Sequence, residues 1–133
     1  MVIDTSAVIA FLRSEPEADR VEALLERAPE LRMSAFTAFE CRTVLHLRFG
    51  VRAATDFEAF LARAEVVVDP FDAEQADAAF AAYRRFGKGT GHPAQLNLGD
   101  CAAYALARTR GLPLLFVGED FGHTDVSRAL PPA

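Results

Sequence analysis

Four acidic residues stand where an acid has no ordinary reason to be. Asp4 interrupts two apolar runs, Met1-Val2-Ile3 before it and Ala7-Val8-Ile9-Ala10-Phe11-Leu12 after it. Glu40 falls on the apolar face of a helical pattern, with Phe36, Val44 and Leu47. Asp100 opens a helix that is almost wholly apolar behind it, and Asp120 follows the last clear apolar strand, Leu114 to Val117. Unpaired carboxylates gathered on one edge of a fold repel strongly at low local dielectric. A divalent cation resolves that conflict. Ligands that are all oxygen, without His or Cys, select Mg²⁺ or Mn²⁺ over zinc. The chemistry that suits such a site is phosphodiester hydrolysis, in which the metal lowers the pKa of a bound water and shields charge on the phosphate.

Each acid also has a structural reading. Asp4 suits the N-cap of the helix that follows it, and Asp100 suits a cap that complements a helix dipole. Asp120 suits a turn after Gly118. Glu40 has Arg42 and Arg48 close by in sequence for an ion pair. Thr5 and Ser6 are suited to orienting a carboxylate, to touching phosphate or to capping. Taken together, the four acids are better explained by one metal site than by four separate accidents.

The elements that must bring these residues together follow from periodicity. Val2-Ile3 starts a strand, and Ala7 to Leu12 reads as a short helix. Glu17 to Ala28 follows as a helix led by Pro16, and Leu31 to Met33 as a second strand. Ser34 is a good N-cap for a helix from Ala35 to about Phe49, stopped by Gly50. Further helices are expected over about Ala53 to Ala64 and from an Asp72 cap to Phe86, with Ala76, Ala79, Phe80 and Tyr83 facing inward. Val66 to Val68 reads as a short buried strand. The last helix runs from Gly99-Asp100 to Arg110 and closes at Gly111. Beyond the last strand, the segment from Phe121 to Ala133 suits a short helix or edge strand. Apolar strands separated by helices indicate a parallel sheet covered on both faces. In such a sheet all strand carboxyl ends share one edge, which is where open α/β folds bind ligands. Asp4 and Asp120 then project together, with Asp100 and Glu40 within reach from the first turns of their helices.

Composition limits the alternatives. The 133 residues suit one domain over 1–133, with about 128–133 a frayed tail. Hydrophobic residues make up 51% and charged residues 25%, a globular balance. No apolar run approaches the ~20 residues that span a bilayer, and no basic region precedes the first apolar stretch, so a cytoplasmic protein is expected. Cys41 and Cys101 lack metal-ligand spacing and read as buried free thiols. The net charge of −5 argues against a nucleic-acid binder that works by bulk positive charge. A metal-dependent nuclease escapes that argument, because bound cations offset its acids locally.

The motifs in this order carry a resemblance. The chain is similar to PIN-domain ribonucleases, and more narrowly to the VapC toxins of bacterial toxin–antitoxin pairs. The anchors are Met1-Val2-Ile3-Asp4-Thr5-Ser6-Ala7, Glu40 in the third helix, Leu96-Asn97-Leu98-Gly99-Asp100-Cys101, and Leu114 to Phe121. The stretch from Tyr83 to Ala94 resembles one VapC subgroup. The resemblance implies a three-layer α/β/α PIN-like fold around a central parallel sheet. It also implies an endoribonuclease dependent on Mg²⁺ or Mn²⁺, with Asp4 and Asp100 as metal ligands and Glu40 and Asp120 completing the catalytic set. It further implies a VapB-type antitoxin on the helices around 35–64, and a homodimer. One departure stands out: Glu119 occupies a place where the family often has Asn. Asp125 suits an outer-shell acid or, better, a helix cap.

Other classes fit less well. A phosphoryl-transfer protein with Asp4 as nucleophile would want a second acid two residues on, where Ser6 stands. Glu119 is the only hint of a non-catalytic acidic binding module. The loop Gly87-Lys88-Gly89-Thr90-Gly91-His92 fails the nucleotide-binding pattern, since glycine follows Lys88. It serves either as a connector or, beside Arg84 and Arg85, as a rim for an RNA backbone. The large apolar groups on the helices around 35–64 suit core packing and a partner groove about equally.

Overall fold

A computed structural model describes residues 1–133. Its four parallel strands are β1 (Val2–Ile3), β2 (Arg32–Ser34), β3 (Val67–Asp69) and β4 (Leu114–Leu115). They are ordered β3-β2-β1-β4. The helices are α1 (Thr5–Leu12), α2 (Ala18–Arg27), α3 (Ala35–Phe49), α4 (Val51–Arg63), α5 (Ala73–Phe86) and α6 (Leu98–Arg110). A short 3₁₀ turn covers Asp120–His123.

The strand pleat splits the core in two. Val2 pairs with Leu114 and Ile3 with Leu115. Val2 and Leu114 pack under α5 and α6, with Phe86, Cys101, Tyr104 and Leu106. Ile3 and Leu115 face the opposite side and meet α1 to α4 through Val8, Val21, Leu45 and Phe57. Successive strand residues point to opposite faces, so two-residue strands suffice to seed both layers. The result is the three-layer α/β/α architecture.

Strand order locates the cleft. From β1 the chain steps outward to β2 and β3, then returns to place β4 on the other side of β1. The order therefore reverses between β1 and β4, and ligands in open α/β sheets bind at such a switch point. Asp4 leaves β1 there, and Val117 to Asp120 leave β4 beside it.

Local signals set most boundaries. Ser34 accepts a hydrogen bond from Phe36 N, and Asp72 accepts one from Gln75 N, so both cap their helices. Gly50 has φ +89° and Gly111 φ +64°, left-handed values that end α3 and α6 cheaply only at glycine. Cys41 and Cys101 are buried free thiols.

Four expectations need correction. The Val66 to Val68 run does not make a buried strand: Val67 and Val68 are 40% and 41% exposed. β3 is an edge strand whose one neighbour is β2. The inward face of α5 is Gln75, Ala79, Ala82 and Phe86, whereas Ala76 and Phe80 face solvent. Inside, the Gln75 amide nitrogen donates to Thr109 Oγ1 at 2.7 Å, while its Oε1 has no partner. In α3 the buried stripe is Thr37, Ala38, Cys41 and Leu45, so Phe36, Glu40 and Val44 form its flank and Leu47 is exposed. The end of the chain is tied down as far as Leu130, which is buried, and Arg128 forms a parallel bridge with Leu114.

Candidate active site

The site begins with a strand that becomes a helix after two residues. Asp4 N still donates to Leu115 O at 3.0 Å, as a ladder residue would. Asp4 then caps α1: Oδ2 accepts from Ser6 N at 3.0 Å and from Ser6 Oγ at 2.6 Å. Ser6 Oγ in turn accepts from Val117 N at 3.0 Å. The turn into α1 removes the backbone acceptor that β4 would otherwise meet, and a serine hydroxyl replaces it. One side chain thus fixes both the Asp4 rotamer and the spacing between β1 and the end of β4.

Asp4 is only 3% exposed, and its Oδ1 is buried without a hydrogen-bond partner. Leaving a buried carboxylate oxygen unpaired costs roughly 1–3 kcal/mol or more, so such an oxygen asks for a ligand. Burial, with the charge of Glu40 adding to it, pushes Asp4 up to about 6 against the hydrogen bonds from Ser6.

Asp100 sits in the first turn of α6. Asn97 is the N-cap, accepting from Asp100 N at 2.8 Å, while Asp100 Oδ2 accepts from Asn97 N at 3.0 Å. This reciprocal capping box uses one carboxylate oxygen and leaves Oδ1 open. The capping and ligand readings of Asp100 are therefore compatible. Burial and the nearby charge of Asp4 push Asp100 up to about 7, with smaller pushes from Glu40 and Asp120.

Glu40 comes from the second turn of α3. Thr5 Oγ1 donates to its Oε1 at 2.7 Å, and neither Arg42 nor Arg48 pairs with it. Arg42 pairs with Glu58 instead. The carboxylate lies against the α6 backbone at Gly99, so closely that a Cβ there would stand 1.9 Å from Oε2. Glycine at 99 leaves the space that the Glu40 carboxylate occupies between α3 and α6.

Asp4, Glu40 and Asp100 line one cleft of about 360 Å³, together with Thr5, Ser6, Asn97, Val44, Arg48 and Glu15. Asp120 does not line it. It is exposed at the start of the 3₁₀ turn, and its charge reaches the site by raising Asp100. Glu119 and Asp120 both face solvent. No three His, Cys, Asp or Glu side chains converge on a single point, so the acids form an open set rather than a closed cage. An open set suits Mg²⁺, which holds several waters and takes one or two protein carboxylates. The free Asp4 Oδ1 and the uncapped oxygen of Asp100 provide two.

Asp125 is neither helix cap nor cleft residue. Tyr104 donates to its Oδ1, while Arg85 and Arg108 approach Oδ2 at 3.5 and 3.9 Å. In the 87–93 loop, Lys88 N donates to Leu96 O and Leu96 N to Phe86 O, both at 2.9 Å. Asn97, Glu15 and Arg48 had not been expected in the cleft. Asn97 is signalled by its place three residues before Asp100, and Arg48 by its place two turns beyond Glu40. A larger hollow of about 460 Å³ lies elsewhere, between α2 and α4. None of the strongly raised acids lines it, so the chemistry belongs to the smaller cleft.

Comparison with known proteins decides the family. The PIN domain family model matches residues 1–127. The chain is a PIN-domain protein of the VapC ribonuclease family. Ribonuclease VapC30 of Mycobacterium tuberculosis is 48% identical over 132 residues, covering 99% of this chain and all of that protein. Ribonuclease VapC of Mycolicibacterium smegmatis is 48% identical over 127 residues, covering 96% and 98%. Among solved structures, Mycobacterium tuberculosis VapC20, a Sarcin-Ricin loop cleaving toxin, superposes with a TM-score of 0.80 at 21% identity over 98% of both chains. The DNA-bound VapBC of Salmonella typhimurium gives 0.70 at 23% identity, covering 96% of this chain and 93% of that one. Membership of the VapC family makes the chain a nuclease. No helix is long and apolar enough to cross a membrane.

Proposed function

We propose that this chain is a Mg²⁺-dependent endoribonuclease toxin, with Mn²⁺ an alternative ion, and that Asp4 and Asp100 hold the metal. The observation that carries this reading is the buried, partnerless Oδ1 of Asp4 in a cleft shared with Asp100 and Glu40. A bound divalent ion would supply an activated water and neutralise charge on the phosphodiester. The chain's own residues prepare the rest. Ser6 locks Asp4 through Oδ2, which leaves Oδ1 without a partner. The capping box fixes the Asp100 side chain. Thr5 holds Glu40 Oε1, which leaves Oε2 able to accept a hydrogen bond from the attacking water. Asp120 completes the acidic set from outside the cleft lining, through the charge that raises Asp100.

The full-length match to VapC ribonucleases supports RNA as substrate. Similarity to VapBC complexes supports a VapB-type antitoxin, for which the helices around 35–64 are the proposed docking surface; a homodimer is proposed beside it. A single domain over 1–133 in the cytoplasm fits the same reading. Asp4→Asn should abolish RNA cleavage and growth arrest, with an unchanged circular dichroism spectrum. Excess chelator should silence the wild type. Full cleavage in either case would overturn the mechanism.

A further inference from the structure

The cleft is acidic, yet its substrate is a polyanion. Among the residues that line it, one is basic: Arg48. It is reached along a single helix face. Glu40, Val44 and Arg48 succeed one another at one-turn intervals on α3, and all three line the cleft. Eight residues at about 1.5 Å each place Arg48 some 12 Å from Glu40 along the axis. That is the span of a nucleotide or two of extended strand.

Arg48 is also free and held. The ion pairs of the molecule engage Arg32, Arg42, Arg85, Arg108 and Arg110, and none involves Arg48. Its guanidinium lies over the Phe49 ring at 5.0 Å from the centroid, and Arg13 lies over the same ring at 4.1 Å. Stacking restricts the long side chains without occupying their N–H donors. Arg48 lines the cleft, and the Phe49 ring, which also carries the unpaired Arg13, restrains it there with its donors unused.

On the ribonuclease reading above, we propose that Arg48, backed by Phe49 and Arg13, binds an RNA phosphate one or two nucleotides from the scissile bond. The arginine fork is suited to a phosphate because it presents paired donors in a plane. The contact fixes the strand's register over Asp4 and Asp100, and it touches substrate without entering the bond-breaking step.

The test measures binding of a short fluorescent single-stranded RNA to Asp100→Asn protein, with and without Arg48→Gln, across a salt series. The expected result is a Kd about tenfold higher with Arg48→Gln, and a log Kd against log salt slope lower by about 0.7, the value for one phosphate on a single strand. Arg27→Gln removes the same charge away from the cleft and should change neither. In otherwise wild-type protein, Arg48→Gln should raise KM more than it lowers kcat and leave the calorimetric Mg²⁺ affinity unchanged. A thermal melt checks that the variant is folded. An unchanged Kd and slope would overturn the proposal, as would a change confined to Mg²⁺ affinity, which would make Arg48 a screen for the acids. Failure of the Asp100→Asn protein to bind RNA, together with no cleavage by wild type, would overturn the ribonuclease reading itself.

Discussion

At the scale of single residues, the cleft holds acids in a state that opposes folding. Asp4 is held up to about 6 and Asp100 up to about 7, in both cases chiefly by burial. An unfolded aspartate titrates near 3.9. Between those limits the folded chain binds protons that the unfolded chain has released, so stability falls as pH rises from about 4 to about 7. Above that range both acids are ionised and the whole cost is present. In chelator, Asp100→Asn should therefore be more stable than wild type at pH 8, by about 1–3 kcal/mol. The difference should vanish below pH 4. Denaturant melts at the two pH values measure it, and a variant less stable than wild type at pH 8 would refute the burial argument. Mg²⁺ should raise the wild-type melting temperature above pH 7, because it binds the folded state. Cys41, pushed up to about 12 by burial and then by the charges of Asp4 and Glu40, takes no part in this titration.

At the scale of elements, the site depends on how closely α3 and α6 approach. Glu40 lies where a side chain on Gly99 would have to be, with its Cδ 2.4 Å from a Cβ built there. Gly99→Ala must turn the carboxylate out of place and break its bond to Thr5. The backbone need not move, because the clash is with the end of a flexible side chain. Stability should change by less than about 1 kcal/mol, since alanine favours the helix, while cleavage falls about tenfold or more. Adding Glu40→Asp, a shorter acid, should restore part of the rate. Equal losses of rate in single and double variants would show that the glycine matters for another reason. The same scale separates what the sequence reveals from what it hides. The caps at Ser34 and Asp72 and the stops at Gly50 and Gly111 are local chemistry, and they are legible. So is Asp4, an acid between apolar runs. The face of α5 is not legible, because alanines lie all round the helix and the partner of the Gln75 amide, Thr109, is distant in sequence. The exposure of β3 is hidden for a related reason: three valines do not say whether a strand has neighbours on both sides. Asp100 reads equally as cap and ligand, and the capping box shows that a carboxylate with two oxygens can be both.

At the scale of the whole molecule, the chain presents more apolar surface than its two core clusters need. The helices around 35–64 divide. Leu45, Phe57 and Phe60 are buried, whereas Phe39, Leu47 and Val51 are 64%, 77% and 70% exposed. The core reading thus holds for the first three, while the other three leave apolar surface exposed. Exposed apolar groups gathered on one stretch mark an interaction surface more often than a folding requirement. Leu47 and Val51 flank the Gly50 turn, so they lie near each other at the junction of α3 and α4. Leu47→Ser and Val51→Ser should each leave the melting temperature of the isolated chain nearly unchanged, within the ±0.5 kcal/mol typical of surface substitutions. If this junction is where the antitoxin docks, the pair should weaken the complex about tenfold or more, a loss of about 1.4 kcal/mol or more. Cleavage by the free toxin should persist, because neither residue lines the catalytic cleft. Co-expression growth assays read the result directly: a double variant that escapes its antitoxin remains toxic, while one that stays neutralised moves the docking surface to another part of the molecule.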